Sequence, residues 1–99
     1  MILVRNVFRL KFGKAKDALA LWKEGREIAQ RTGSGGTMRA MTDLVGPFYT
    51  LVLEDQYPSL SDMEREMQSE TGADEWKVWY QKFVPLVDSG YREIFTLVE

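Results

Sequence analysis

Asn6 is a lone amide inside an apolar run, and five aromatic residues fall at helical spacing; chemistry in this chain has to start from these positions. A buried amide left unpaired costs roughly 1–3 kcal/mol. From its residue type and place alone Asn6 reads as a satisfied core hydrogen bond. Trp22, Trp76, Trp79, Tyr80 and Phe83 form either a core stripe or the wall of a pocket for a flat organic molecule. Charges on the strand candidates, Arg39, Asp43, Glu54, Arg92 and Glu93, are costly on a buried face unless paired. They are either ion pairs at an interface or a pocket in which an Arg such as Arg39 orients an anionic substrate. In such a pocket a carboxylate or Tyr49 would have to serve as base.

The residues that are absent narrow the chemistry further. The chain has neither histidine nor cysteine. That removes the commonest general base near neutral pH, the commonest metal ligand, and any thiolate or disulfide. A zinc site would need carboxylates alone, so the expectation is no metal and no cofactor.

These candidates must be positioned by regular elements, and the patterning supplies them. Residues 2–12 alternate, with Ile2, Val4, Asn6, Phe8, Leu10 and Phe12 on one face, which predicts a strand ending at Gly13. Residues 14–31 switch to helical spacing, with Ala15, Ala18, Leu19, Trp22, Ile28 and Ala29 on one stripe and Leu21 at its border. Gly25 interrupts that stripe, as expected where a helix lies very close to the sheet. The glycine-rich run 32–36 follows a helix and opens a strand. A phosphate-cradling loop has the opposite context, so this one is a plain connection.

Residues 37–45 and 48–57 predict two strands joined by the Gly46-Pro47 turn signal. Ser59 with Asp62 resembles a capping box and opens a helix through Leu60, Met63 and Met67, with Gly72 as its breaker. A further helical run from about Asp74 carries the aromatic set until Pro85 ends or bends it, and Tyr91–Val98 predicts the last strand.

Ninety-nine residues, 44% hydrophobic and 28% charged with a net charge of -2, suit a single globular domain over 1–99. The scattered Lys and Arg carry no footprint for nucleic acid, and no run reaches the length of a signal-peptide core or a membrane span. A soluble cytoplasmic protein is expected, without nucleic-acid or membrane partners.

Strand, helix, hairpin, helix and strand together predict an α+β ferredoxin-like βαββαβ domain with an antiparallel four-stranded sheet. Right-handed crossovers put the helices on one face. The strands are apolar in part on both faces, so a second copy is expected to cover the other face in a homodimeric α+β barrel.

Two stretches carry a family resemblance. The run Val4-Arg5-Asn6-Val7-Phe8-Arg9-Leu10-Lys11-Phe12-Gly13-Lys14 resembles the opening strand of NIPSNAP-type domains, and Tyr57-Pro58-Ser59-Leu60-Ser61-Asp62 resembles their strand-to-helix junction. Asn6, Phe8 and Phe12 stand where Arg, Tyr and Pro are usual in those domains. The resemblance implies membership of the dimeric α+β barrel superfamily, whose cofactor-independent and haem-degrading monooxygenases use an inward Asn and a nearby Trp. By that likeness Asn6 would work with Trp76 or Trp79, and the missing histidine argues against the haem-degrading branch.

Two functions follow. One is a homodimeric barrel that binds a small organic ligand without catalysis. The other is a cofactor-independent monooxygenase or isomerase acting on a small aromatic or polyketide-like compound. The candidate pocket residues are Asn6, Trp76, Trp79, Tyr80, Tyr49 and Arg39.

Overall fold

Period-two patterning in the opening residues produces β1 (Ile2–Leu10), and the shift to helical spacing after Gly13 produces α1 (Ala15–Arg31). Gly13 makes the switch in the left-handed region, at φ 80°, where an L side chain would be strained. A computed structural model describes residues 1–31, 38–68 and 73–98. The remaining elements are β2 (Arg39–Thr42), β3 (Thr50–Tyr57), α2 (Leu60–Met67), α3 (Ala73–Phe83) with a short 3-10 turn at Val84–Leu86, and β4 (Val87–Thr96). The four strands form one antiparallel sheet in the order β2-β3-β1-β4. This is the α+β ferredoxin-like arrangement expected from the element order. The glycine-rich run 32–36 and Gly72 lie outside the described residues.

Several boundaries differ from the sequence expectation, each for a local reason. β2 ends at Thr42 because Asp43 turns inward on the connection. Its Oδ1 accepts the Thr50 N–H at 2.9 Å, and its own N–H donates to the Thr50 carbonyl at 3.2 Å. Leu44, Val45 and Phe48 are left in the exposed connection rather than on strands. β4 begins at Val87 rather than Tyr91, since Val87–Gly90 pairs with Leu10–Phe8 across an irregularity at Arg9/Leu10. Asp88, Ser89 and Gly90 are exposed there, so no hydrophobic period announces the strand.

Ser59 caps α2 as its sequence suggests. Its Oγ accepts the Asp62 N–H at 3.2 Å and donates to Asp62 Oδ2 at 2.7 Å. Pro85 lies in the 3-10 turn that ends α3, consistent with its missing N–H.

Register assigns each side chain to a face. Ile2, Val4, Asn6, Phe8 and Leu10 of β1 stand beside Tyr57, Asp55, Leu53 and Leu51 of β3 and beside Thr96, Ile94 and Arg92 of β4. This face looks at the helices: Leu10 and Leu51 are fully buried in a core with Ala18, Leu21 and Phe83. The opposite face carries Leu3, Arg5, Val7 and Arg9 with their strand neighbours, and none of the described helices covers it.

The buried row of α1 is Ala18, Leu21, Gly25, Ile28 and Ala29, so Leu21 sits at the centre of the stripe and not at its border. The reason is α3. Trp79 lies across α1 and donates its indole N–H to the Leu21 carbonyl at 2.6 Å, while its ring stacks on Phe83 at 5.0 Å. Gly25 marks a close approach as expected, but the neighbour is this indole and not the sheet. A Cβ at Gly25 would stand 2.9 Å from Trp79 Nε1.

Gly25→Ala should therefore destabilise the chain even though alanine is the better helix former. Helix propensity favours Ala by roughly 1 kcal/mol, whereas forcing a methyl against a fixed ring costs about 1–3 kcal/mol. Urea denaturation should show a net loss that shrinks in a Trp79→Phe background. A stabilised single variant would mean that the indole moves freely.

Candidate functional site

Side chains that can bind or transfer protons gather on the helix-facing side of β1, β3 and β4. Asn6 and Arg92 are register partners, and Arg92 Nε donates to Asn6 Oδ1 at 2.7 Å. Asn6 is half-buried and Arg92 exposed, so the amide is satisfied at the edge of the covered region. On the other side of β1, Asp55 and Tyr57 follow on the same face of β3, and α2 brings Glu66 above them.

The electrostatics link these groups. Burial pushes the Tyr57 hydroxyl well above the ordinary phenol range, with the Asp55 charge and hydrogen bond acting in the same sense and the Arg92 charge opposing them. Burial also raises the Glu66 carboxyl above its ordinary value, and the Asp55 charge adds to the effect. Asp55 thus acts on two neighbours that both hold their protons longer than usual. The Tyr57 O–H is engaged by Asp55, so its oxygen is left to accept from a ligand, and the Glu66 carboxyl can exchange a hydrogen bond or a proton with one.

The uncovered face carries a second arrangement, and Arg39 belongs to it. Register aligns Arg39, Glu54, Arg5 and Glu93 in one row across β2, β3, β1 and β4. Arg39 binds Glu54 Oε1 through Nε and Nη2 at 2.8 and 2.7 Å, and Arg5 Nε binds Oε2 at 2.8 Å. Arg5 Nη1 continues to Glu93 at 3.1 Å. Glu54 is only 6% exposed although its face has no helix over it, since the two arginine side chains enclose the carboxylate. The Arg39 hydrogen bonds, with those of Arg5, hold the Glu54 carboxyl below its ordinary value against the opposing cost of burial.

The six candidates from the sequence therefore do not form one constellation. Trp76 and Trp79 meet edge to face at 5.5 Å on α3, but the Trp79 N–H is committed to Leu21. Tyr80 is 61% exposed. Tyr49 precedes β3 at φ 60° and packs on Phe12 at 4.8 Å. Arg39 points to the face opposite Asn6, because it lies in register with Glu54 and Arg5, and Arg5 and Asn6 alternate on β1. Asp55, Tyr57 and Glu66 were missed. Their signal was the parity of β3, which puts Asp55 and Tyr57 beside the inward positions of β1 once the register is known.

Between α1 and α3 lies an open groove of about 410 Å³. Ile28, Val78 and Trp79 line it, and the pairs Arg31–Glu75 (3.0 Å) and Lys82–Glu24 (3.8 Å) lie along its rim. Asn6 does not line it. Among the described residues no three Asp or Glu side chains are grouped to hold a metal ion, and no helix is long and apolar enough to cross a membrane.

Comparison with known proteins agrees with the fold. The NIPSNAP family model matches residues 5–99. A NIPSNAP family protein from Agrobacterium tumefaciens superposes with a TM-score of 0.82 at 22% identity, over 99% of this chain and 93% of that one. A NIPSNAP domain protein from Burkholderia xenovorans gives 0.76 at 17% identity, over 99% and 95%. An antibiotic biosynthesis monooxygenase gives 0.71 at 14% identity, over the whole of both chains. A search of curated proteins finds no match. The chain belongs to the NIPSNAP family.

Two pH-dependent outcomes follow from the electrostatics. Glu54 has a depressed pKa in the folded chain, so its contribution is complete above the ordinary value of 4.5 and is lost as pH falls through the folded value. Glu54→Gln should lower stability at pH 7 by about 1–3 kcal/mol, with the gap closing in acid. Glu66 runs the other way: its raised pKa costs stability as pH climbs above 4.5. Glu66→Gln should match the parent at pH 4 and exceed it in melting temperature at pH 7. Parallel stability-pH curves for parent and variant would contradict either assignment.

Proposed function

We propose that this NIPSNAP-family chain works as a homodimeric α+β barrel that holds a small organic ligand on the helix-facing side of its sheet. One observation carries the proposal: Asn6, Arg92, Asp55, Tyr57 and Glu66 converge on the face that otherwise builds the core. Polar groups are costly on a packed face unless they are paired, and this set offers both donors and acceptors to a bound molecule. Its two carboxyls and one guanidinium favour a neutral, hydrogen-bonding ligand over a strongly anionic one. The second copy is supported by the other face, where Tyr91 (60% exposed) and Phe95 (44% exposed) stand in the open.

A cofactor-independent monooxygenase or isomerase acting on a small aromatic or polyketide-like compound is the second reading. It is favoured by Glu66, a carboxyl of raised pKa beside Asp55, which is suited to take a proton from a phenol or an activated C–H. Arg92 would orient the resulting anion, and Asn6 holds Arg92 in place. The fold shared with an antibiotic biosynthesis monooxygenase is compatible with this reading but does not by itself carry it.

Native mass spectrometry of the protein as purified should give a dimer with an organic molecule bound. Asn6→Ala and Arg92→Ala should remain folded dimers and lose the added mass. A monomer at micromolar concentration would rule out the assembly. Variants that keep the full load and merely lose roughly 1–3 kcal/mol of stability would make Asn6 structural and put any ligand elsewhere.

A further inference from the structure

The uncovered face is banded. Across all four strands runs the charged row Arg39–Glu54–Arg5–Glu93, in the spatial order β2-β3-β1-β4. On one side of it lies the apolar row Met41–Val52–Val7–Tyr91, and on the other side Leu3 and Phe95 stand next to Gln56. The charges alternate strictly from edge to edge, so the row reads plus, minus, plus, minus. Reversing such a row turns every charge into its opposite.

That property makes the face complementary to itself in one orientation only. Two such faces can meet around a two-fold axis lying between them. If the axis runs parallel to the strands, β2 of one copy opposes β4 of the other, and every member of the row faces the opposite sign. If the axis runs along the row, each charge faces its own copy. With the axis parallel to the strands Met41–Val52–Val7–Tyr91 meets its own copy, whereas with the axis along the row it meets the row that holds Gln56, so the apolar bands favour the same orientation as the charges.

We propose that the row orients the pairing of two copies of this chain, with Arg39 at one edge meeting the partner's Glu93 at the other. This rests on the homodimer put forward above and adds its geometry. The edge members are suited to the task. Arg5 and Glu54 are satisfied within the chain, whereas Arg39 and Glu93 each have a row neighbour on one side only. Their side chains remain 68% and 38% exposed. Closing two four-stranded sheets into one barrel brings the β2 edge of each copy against the β4 edge of the other, where these two side chains stand.

Arg39→Glu and Glu93→Arg test the pairing. In either variant dimer both seams carry like charges. In a mixed dimer Glu at 39 faces Arg at 93, and the native Glu93 faces the native Arg39. Sedimentation velocity should show a parent dimer and at least about tenfold weaker self-association of each variant. Equimolar mixing should restore dimers, which native mass spectrometry would read as a species of mixed mass well above the statistical share. Damage confined within one chain is not rescued by mixing.

A parent that is monomeric would overturn the homodimer and this inference together. A dimeric parent with variants as tight as the parent, or mixing at the statistical share, would overturn the orientation alone. If circular dichroism shows either charge reversal unfolded, Arg39→Gln and Glu93→Gln take its place. The parent dimer should weaken with added salt, and both amide variants should lose most of that dependence. An unchanged salt dependence would equally overturn the pairing.

Discussion

A carboxylate enclosed on the open side of a sheet constrains this molecule more than any apolar contact does. Glu54 is almost inaccessible because two arginine side chains enclose it, and each supplies ionic hydrogen bonds that are lost without it. Arg39 from β2 and Arg5 from β1 flank it, so satisfying Glu54 requires β2, β3 and β1 to lie side by side in one register. Arg5 then extends the requirement to β4 through Glu93. One row of ionic hydrogen bonds thereby ties four strands that the chain visits in a different order. Opposite charges placed directly across strands stabilise a sheet modestly at each step. Here their greater effect is on specificity, because every alternative pairing leaves Glu54 without one of its arginines.

The helix-covered side is stabilised differently. Leu10, Leu51, Ala18, Leu21 and Phe83 make the core at the end of the sheet where β1 finishes, and α3 is fastened to α1 by the Trp79 indole lying over Gly25. Toward the other end of β1 the covering is less apolar. Asn6, Asp55, Tyr57 and Glu66 are interspersed there with buried Val4 and Met63. Their raised or paired states cost stability that ordinary packing would have supplied.

The element order, the inward turn of Asn6, the Ser59 cap and the stop at Pro85 were legible from the chain, because each depends on neighbours within a few residues. The rest depended on pairings made across the fold. Asn6 and Arg92 are 86 positions apart, and no local pattern fixes the β1–β4 register. The start of β4 was invisible because Asp88, Ser89 and Gly90 are exposed and carry no apolar period. Helical spacing puts Leu21 at the border of its stripe, whereas the fold buries it against Leu10, Leu51 and Phe83, which come from three other elements. The aromatic set was read as a possible pocket wall, yet helical spacing cannot say that the Trp79 N–H is already committed while Tyr80 is exposed. The charged strand residues were recognised as costly, but their alternation appears only when the strands are placed in the order β2-β3-β1-β4.

The two faces are coupled by the alternation of the strands themselves. Arg5 precedes Asn6, Glu54 precedes Asp55, and Arg92 precedes Glu93. On each of these three strands a charged-row residue and a site residue are sequence neighbours on opposite faces. A slip of one residue in any pairing would exchange them, turning an arginine or glutamate of the row toward the helices and Asn6, Asp55 or Arg92 into the row. The row can be satisfied only in the register that also turns Asn6, Asp55 and Arg92 toward the helices. Interactions on the open face therefore position the groups on the covered one without touching them. Pairing that open face with a second copy would stiffen the row, and with it the spacing of the three side chains of the proposed ligand site.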